Sequence, residues 1–192
     1  MYQKRNNDLA VISIYTNGYG MRFYLRQISK LSSIPLKTCQ NVLINLEKEK
    51  ILKSKLEGKN KYFDLNFDNI QTKFYLLQAE IYKTSNFLRR YPQFKTFLKS
   101  LNTNISIIIF GGFAKLKVGK DSDLDLFVLS KEKGELPSYL LPYKVHQINL
   151  SEDSFKKALI EKETLVKEIE ENHIILNNPS SYVNLVWEYY AK

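Results

Sequence analysis

Two stretches in the second half of the chain decide its fold: ISIIIFGG at residues 105–112 and DLDLFVL at residues 123–129. The first is dense in β-branched residues, which is typical of a buried strand. The two glycines that follow it allow a tight turn and a close approach of the backbone to a ligand. The second stretch also predicts a strand, and alternation along it places Asp123 and Asp125 on one face.

Two carboxylates side by side repel each other, and a hard divalent cation bound between them relieves that repulsion. Mg²⁺ keeps several waters and commonly shares its site with substrate phosphates. We therefore expect Asp123 and Asp125 to hold Mg²⁺ or Mn²⁺ and the turn at Gly111 and Gly112 to hold the phosphates of an NTP substrate. The order of strand, Gly-Gly, ten residues and Asp-X-Asp is more specific than any of its parts.

This ordered motif resembles the signature of the DNA polymerase beta-like nucleotidyltransferase superfamily, especially its minimal prokaryotic members. The resemblance covers residues 92–192 and implies an α/β domain with a small mixed sheet. It also implies Mg²⁺-dependent transfer of a nucleoside monophosphate from an NTP to an acceptor, with Gly111 and Gly112 binding nucleotide and Asp123 and Asp125 as the catalytic, metal-binding pair. Minimal members include antitoxin-type proteins that attach AMP to a partner toxin, so a toxin-like protein is one expected acceptor.

The chain departs from the family pattern at three places. Many members have Ser where this chain has Gly112, and a further glycine of the pattern falls on Leu116. The strand expected at 143–150, where active members usually carry a third carboxylate, offers His146 but no Asp or Glu. His146 could accept a proton, bind a metal or be merely hydrogen-bonded. Loss of a general base costs roughly 10²–10⁴ in rate, so both a slow and an inactive enzyme fit the sequence.

The net charge of +9 is concentrated in the first half of the chain. Residues 1–100 carry 18 Lys+Arg against 7 Asp+Glu, whereas residues 101–192 carry 11 against 13. A basic half joined to a slightly acidic half favours two modules with different partners, and nucleic acid is the partner that suits the basic one. The alternative is that the basic residues only keep the protein in solution.

The first module, residues 1–70, is predicted to contain three helices and a β-hairpin. Helical spacing of apolar residues covers 8–15, 23–33 and 35–50, and the hairpin covers 51–65 with its turn at 57–60. This order is that of a winged helix-turn-helix domain. The stretch 34–52 resembles the recognition helix and the start of the wing in archaeal and bacterial winged-helix regulators.

A winged helix-turn-helix domain places a helix in the major groove of double-stranded DNA and a hairpin along the phosphates. We expect six residues to contact DNA, four on the exposed face of the third helix and two at the hairpin: Lys37, Thr38, Gln40, Asn41, Lys59 and Lys61. The alternative is that this fold serves protein contacts or dimerisation. The lone Cys39 falls on the apolar face of the helix, where an inert buried thiol is expected.

A helical connector over 71–91 is predicted to link the modules, and its wide aromatic face could form a homodimer seam or pack against its own chain. The nucleotidyltransferase-like domain then covers 92–192 and is expected to include one long helix over 152–171. The longest apolar run has four residues, against about 20 needed to span a bilayer, so no membrane partner is expected. A cytoplasmic location is the default for such a chain.

The sequence therefore predicts an α+β protein with two hypotheses for its function. The first is a nucleotidyltransferase that carries an N-terminal DNA-binding module. The second is a DNA-binding transcriptional regulator whose nucleotidyltransferase-like domain is catalytically degenerate and senses nucleotide or binds a partner. Asp123 and Asp125 favour the first hypothesis, whereas the basic first half and the missing third carboxylate favour the second.

Overall fold

The structure is a computed structural model that describes residues 2–117, 119, 122–131 and 135–192, with side chains from residue 6 onward. The contacts within the chain define two units. One comprises Met1–Tyr82 with Tyr190–Lys192, and the other comprises Lys83–Tyr189. The protein belongs to the α+β class, because each unit combines helices with a small sheet.

The first unit contains three helices, a three-stranded antiparallel sheet and the first part of a fourth helix. Its elements are α1 (Tyr2–Tyr15), β1 (Phe23–Tyr24), α2 (Leu25–Ser32), α3 (Leu36–Lys48), β2 (Leu52–Glu57), β3 (Asn60–Leu65) and α4 (Ile70–Arg90). The strand order in the sheet is β1-β3-β2. The hairpin loop is shorter than expected, because Glu57 pairs with Asn60 and leaves only Gly58 and Lys59 between the strands.

Apolar side chains from α1, α2, α3 and the hairpin form the core of this unit. Buried Tyr15 on α1 donates a hydrogen bond to the carbonyl oxygen of Phe63 on β3, at 3.1 Å, and so joins helix to sheet. Cys39 is fully buried, as predicted, and its burial raises the pKa of the thiol to about 11. The thiolate is therefore scarce at neutral pH, which makes this cysteine a poor nucleophile.

Phe23 differs from the prediction, since it was expected in a helix and lies instead in β1, where it pairs with Phe63. A two-residue strand has no periodicity of its own, and it forms here because β3 offers a free edge. The third helix agrees well with its expected range: α3 begins immediately after Pro35, whose ring suits the start of a helix.

The second unit contains a four-stranded mixed sheet with helices around it. Its elements after α4 are α5 (Phe94–Lys99), β4 (Ser106–Phe110), α6 (Gly111–Ala114), β5 (Leu124–Leu129), a 3₁₀ turn (Ser138–Leu140), β6 (Val145–Leu150), α7 (Glu152–Glu161), α8 (Thr164–Glu171), β7 (Ile174–Asn177) and α9 (Pro179–Tyr190). The strand order is β6-β5-β4-β7. β4 pairs antiparallel with β5 and β7, whereas β5 and β6 are parallel.

Every residue of β4 is buried, so this strand is the centre of the second core. An aromatic cluster lies beside it. Phe94 on α5 contacts the rings of Phe87, Phe113 and Tyr143 at centroid distances of 5.0, 6.2 and 5.9 Å. Aromatic pairs at such distances add to the stabilisation that burial provides.

The long helix expected over 152–171 is in fact two helices, α7 and α8. Lys162 between them has a φ of 55°, in the left-handed region, and the backbone N–H of Glu163 donates to the carbonyl oxygen of Ala158 at 3.0 Å. This is the hydrogen-bonding pattern with which helices commonly end. Neither Gly nor Pro marks the break in the sequence, and the apolar spacing continues through it. The sequence pattern therefore predicted one helix.

The connector predicted over 71–91 lies on α4, and the division between the two units falls within this helix. Three of its apolar side chains are at least half exposed: Ile70 at 56%, Phe74 at 57% and Ile81 at 50%. A homodimer through this face stays a prediction. Neither α4 nor any other helix in the described ranges is long and apolar enough to cross a membrane.

Replacing Phe94 with Ala tests the aromatic cluster. We expect the free energy of unfolding to fall by about 3–5 kcal/mol, because the variant leaves a cavity where a fully buried ring contacted four others, including that of Tyr91 at a centroid distance of 6.4 Å. Urea denaturation followed by the fluorescence of Trp187, the single Trp, measures it within the same unit. The control is Tyr139→Ala, at a ring 83% exposed, which should change stability by less than about 0.5 kcal/mol. Equal effects of the two variants would contradict the prediction.

Candidate active site

The two motif stretches meet where β4 ends and β5 begins. The antiparallel register pairs Phe110, the last residue of β4, with Asp125. The chain then passes directly from β4 into the short helix α6, which begins at Gly111. The glycine turn and the Asp-X-Asp segment, which are ten residues apart in sequence, are therefore adjacent in the structure.

Gly111 is required at its position for two independent reasons. Its φ of 67° lies in the left-handed region, which side chains disfavour. A Cβ atom at this position would also lie 2.5 Å from Oδ2 of Asp125, far closer than real contacts allow. Glycine at this position therefore lets the Asp125 carboxylate approach the backbone at residue 111 closely.

The rest of the turn tolerates side chains better. A Cβ atom on Gly112 would meet only the backbone oxygen of Lys117, at 3.5 Å, so the serine common in the resembled family would fit there. Leu116, which stands where the family pattern has glycine, has a φ of 56°. The backbone thus keeps the conformation that suits glycine, although leucine occupies the position at some cost in strain.

β6 provides the other wall of the site, and its contribution is basic. Nζ of Lys144 lies 3.5 Å from Oδ2 of Asp123, and Nδ1 of His146 lies 3.5 Å from Oδ1 of Asp125. The Asp125 side chain is 32% exposed and that of Asp123 is 51% exposed, so both carboxylates remain open to solvent and to a ligand. His146 was predicted from the sequence as a candidate, whereas Lys144 was not; the signal for Lys144 is its position two residues before His146, directly before β6.

The donor set fits a divalent cation that is shared with a nucleotide. Asp123 and Asp125 supply carboxylate oxygens on side chains that are 51% and 32% exposed. Within the described part of the chain, no three His, Cys, Asp or Glu side chains converge as a metal-binding group. Two protein carboxylates suit Mg²⁺ or Mn²⁺ when substrate phosphates and water complete the coordination.

The residues predicted to contact DNA lie on two elements of the first unit. Lys37, Gln40 and Asn41 on α3 are exposed, whereas Thr38 is half-buried. Lys59 is exposed in the hairpin loop, and Lys61 follows it on β3. The placement of these six residues is compatible with one surface, but their contact with DNA stays a prediction.

Lys61 differs from Lys59 because it is already paired. Its ammonium group lies 2.7 Å from Oε2 of Glu47 on α3, and the same carboxylate accepts a hydrogen bond from Ser54 on β2. Partial burial pushes the pKa of Glu47 upward, but the hydrogen bonds from Lys61 and Ser54 outweigh it and lower the pKa overall. Glu47 is therefore a fixed negative charge on this surface.

A groove of about 670 Å³ lies between α3 and the hairpin. Its walls combine apolar groups with charged ones: Tyr24, Leu25, Arg26, Gln40, Leu43, Ile44, Glu47, Lys59, Asn60, Lys61 and Phe63. This groove was not predicted from the sequence. The available signal was Ile44, an apolar residue outside the apolar face of α3, and its side chain is 55% exposed. The groove includes Gln40, Lys59 and Lys61, so it belongs to the predicted DNA-binding surface.

Comparison with known proteins gives one match, and it lies within the second unit. Residues 92–178 match the family model of the nucleotidyltransferase domain, and the matched range contains Gly111, Gly112, Asp123 and Asp125. No curated protein and no solved structure matches the chain. The match confirms the resemblance of this part of the chain to nucleotidyltransferases, a class of domain that transfers nucleoside monophosphates from NTPs and generally uses divalent metals.

Substituting Gly111 with Ala tests the close approach to Asp125. The left-handed backbone alone should cost about 1–2 kcal/mol of unfolding free energy. The contact of the new Cβ with the carboxylate should add about 1–3 kcal/mol, as in other overpacked sites. Urea denaturation followed by circular dichroism measures both contributions.

Two glycines serve as controls for that substitution. Gly58 has a similar φ of 59°, and a Cβ atom placed on it would have nothing within 4 Å, so Gly58→Ala should show the backbone cost alone. Gly112→Ala lacks both problems and should be nearly neutral. If Gly111→Ala and Gly58→Ala lowered stability equally, the close approach to Asp125 would have no energetic consequence.

Proposed function

We propose that this protein transfers a nucleoside monophosphate from an NTP to an acceptor in a reaction that depends on Mg²⁺ or Mn²⁺, and that its first unit binds double-stranded DNA. The observation that carries the enzymatic part is the approach of Gly111 to Asp125 across β4 and β5. It supports a site in which the glycine turn and a carboxylate that can hold a cation lie side by side. The family match over residues 92–178 supports the same activity.

Each motif residue has a role in this proposal. The backbone N–H groups at Gly111 and Gly112 bind triphosphate oxygens, which only residues without bulky side chains allow at such short range. Asp123 and Asp125 hold the divalent cation. When bound, that cation neutralises negative charge on the triphosphate and on the leaving pyrophosphate.

The reaction is a substitution at the α-phosphorus. A nucleophilic oxygen of the acceptor forms a bond to this phosphorus, the bond to pyrophosphate breaks, and the acceptor loses its proton. Phosphoryl-type transfer depends mostly on positioning and on stabilising charge. The protein meets this requirement through the glycine turn and the aspartate pair, which the buried strand β4 and its partner β5 hold in register.

The DNA-binding part of the proposal rests on the first unit. Its element order, α1, β1, α2, α3, β2 and β3, supports a winged helix-turn-helix domain. The exposed polar side chains of α3 are suited to base edges, and the loop lysine Lys59 is suited to a phosphate. The surplus of positive charge in residues 1–100 supports association with a polyanion.

The second candidate function is a DNA-binding regulator whose nucleotidyltransferase-like unit does not turn over. The observation that favours it is the basic wall of the site, where Lys144 and His146 lie beside the aspartates. Among the described residues, no third carboxylate joins Asp123 and Asp125 in a metal-binding group. Such a unit could still bind nucleotide. The two candidates differ in one measurable property, because only the first transfers a nucleoside monophosphate to an acceptor.

Transfer can be measured with each α-³²P-labelled NTP, Mg²⁺ or Mn²⁺, and lysate of the source organism as acceptor. We expect the wild type to label an acceptor, and Asp123→Asn and Asp125→Asn each to reduce labelling at least about 100-fold, because each removes a ligand of the charge-neutralising cation. Asp153→Asn is the control, since its side chain is 83% exposed on α7. Absence of transfer by the wild type would reject the enzyme and leave the regulator.

DNA binding can be measured by fluorescence anisotropy over a range of salt concentrations. Lys59→Ala should reduce the slope of log K against log salt by about one, because it removes one phosphate contact. Lys61→Ala should change it less, since Glu47 already neutralises that ammonium group. Lys167→Ala, an exposed lysine on α8, should leave the slope unchanged. If none of these variants altered the slope, the DNA contact would lie on another surface and the prediction would be wrong.

A further inference from the structure

The pairing of β5 with β6 places Lys144 in a defined position opposite Asp123. The two strands are parallel, and their register pairs Asp125 with His146 and Leu124 with Val145. The backbone N–H of Leu124 donates to the carbonyl oxygen of Lys144 at 2.8 Å, which fixes the start of β6 beside the start of β5. Alternation along both strands therefore brings residues 123, 125, 144 and 146 to the same face.

The charges on this face differ from those of a site that holds two metal ions. Two-metal sites clamp the attacking and leaving oxygens between two divalent cations. In the resembled family a third carboxylate on the later strand helps to hold metal. Here the later strand presents an ammonium group 3.5 Å from Asp123 and an imidazole 3.5 Å from Asp125. The described residues offer no third carboxylate in the cluster.

The presence of Lys144 disfavours a second divalent cation. Like charges a few ångströms apart repel strongly when water is partly excluded, as it is when a nucleotide covers a site. The two aspartates together carry a charge of −2, which one divalent cation balances before any nucleotide binds. A second one would have to share two carboxylates with the first and would lie near the ammonium group of Lys144.

We propose that the ammonium group of Lys144 takes the place of a second metal ion, so that the nucleotide-bound site holds a single divalent cation. The inference rests on the proposed nucleotidyltransferase function and concerns the composition of the same site. Lys144 then supplies the additional positive charge beside the triphosphate. Its side chain is 84% exposed, which leaves it free to turn from Asp123 toward a bound phosphate.

The test is the number of metal ions retained with each nucleotide. The full chain is dialysed to equilibrium against Mn²⁺ and a radiolabelled α,β-methylene analogue of each NTP, which binds without transfer. The excess of Mn²⁺ and of nucleotide on the protein side is then measured. We expect a ratio of one Mn²⁺ per nucleotide for the wild type.

Two substitutions of Lys144 make the test specific. Lys144→Glu adds the third carboxylate and should raise the ratio to two. Lys144→Met should keep the ratio at one, and it should tighten Mn²⁺ binding in the absence of nucleotide up to about fivefold, because Asp123 loses its competing partner. Lys156→Glu is the matched control. Lys156 on α7 forms an ion pair with Glu188 on α9, with 2.9 Å between the charged atoms, and its substitution should leave the ratio at one.

The outcomes separate this proposal from the proposed function. A ratio of two in the wild type would overturn the single-ion site while supporting the nucleotidyltransferase. A ratio that remained at one in Lys144→Glu, with a circular dichroism spectrum like that of the wild type, would also count against the proposal, because residue 144 would then not stand where a second ion can bind. If no nucleotide were retained, the proposed function would fail, and the proposal with it.

Discussion

The contact between the backbone at Gly111 and the carboxylate of Asp125 is the constraint on which the site of the second unit depends. It requires β4 and β5 to pair in one register, since a slip of one residue would turn Asp125 to the other face. It also requires glycine at a left-handed position, where any side chain would meet the carboxylate. Both requirements serve one contact, because the backbone and the carboxylate can approach each other only in this register and only at a residue without a side chain.

The aromatic cluster supports both walls of this site. Phe113 follows the glycine turn directly, and Tyr143 directly precedes Lys144. Their rings are 4.6 Å apart and both contact Phe94 on α5. Because closely packed interiors resist small displacements, this packing holds the turn on one side and the start of β6 on the other. The core thereby positions polar groups that make few contacts of their own.

In the first unit, packing decides whether the charge of a lysine is available to bind a partner or is already neutralised. Lys59 and Lys61 are equivalent by sequence, being two residues apart at the tip of a hairpin. In the structure Lys61 is bound by Glu47 on α3, whereas Lys59 is exposed in the loop. The ion pair joins the hairpin to α3 and lowers the positive charge available there. A basic surface is therefore smaller than its count of lysines indicates.

Local patterns were enough to predict most elements of this protein and the motif of its site. Runs of β-branched residues, apolar spacing and the glycines are properties of neighbouring residues, so they identified β4, β5, α3, the hairpin and the quartet of Gly111, Gly112, Asp123 and Asp125. The two misses had different causes. The strand at Phe23 exists because β3 pairs with it, and the break at Lys162 has no local signal.

The sequence by itself thus determined which groups can carry the chemistry, because two carboxylates two residues apart on a strand face the same way wherever the strand lies. Only the tertiary structure decided what stands around them. The register of β6 on β5 placed Lys144 and His146 against the aspartates, and the pairing of β4 with β5 placed Gly111 against Asp125. Those neighbours come from strands that are separate in sequence, and they set the charge and the space of the site.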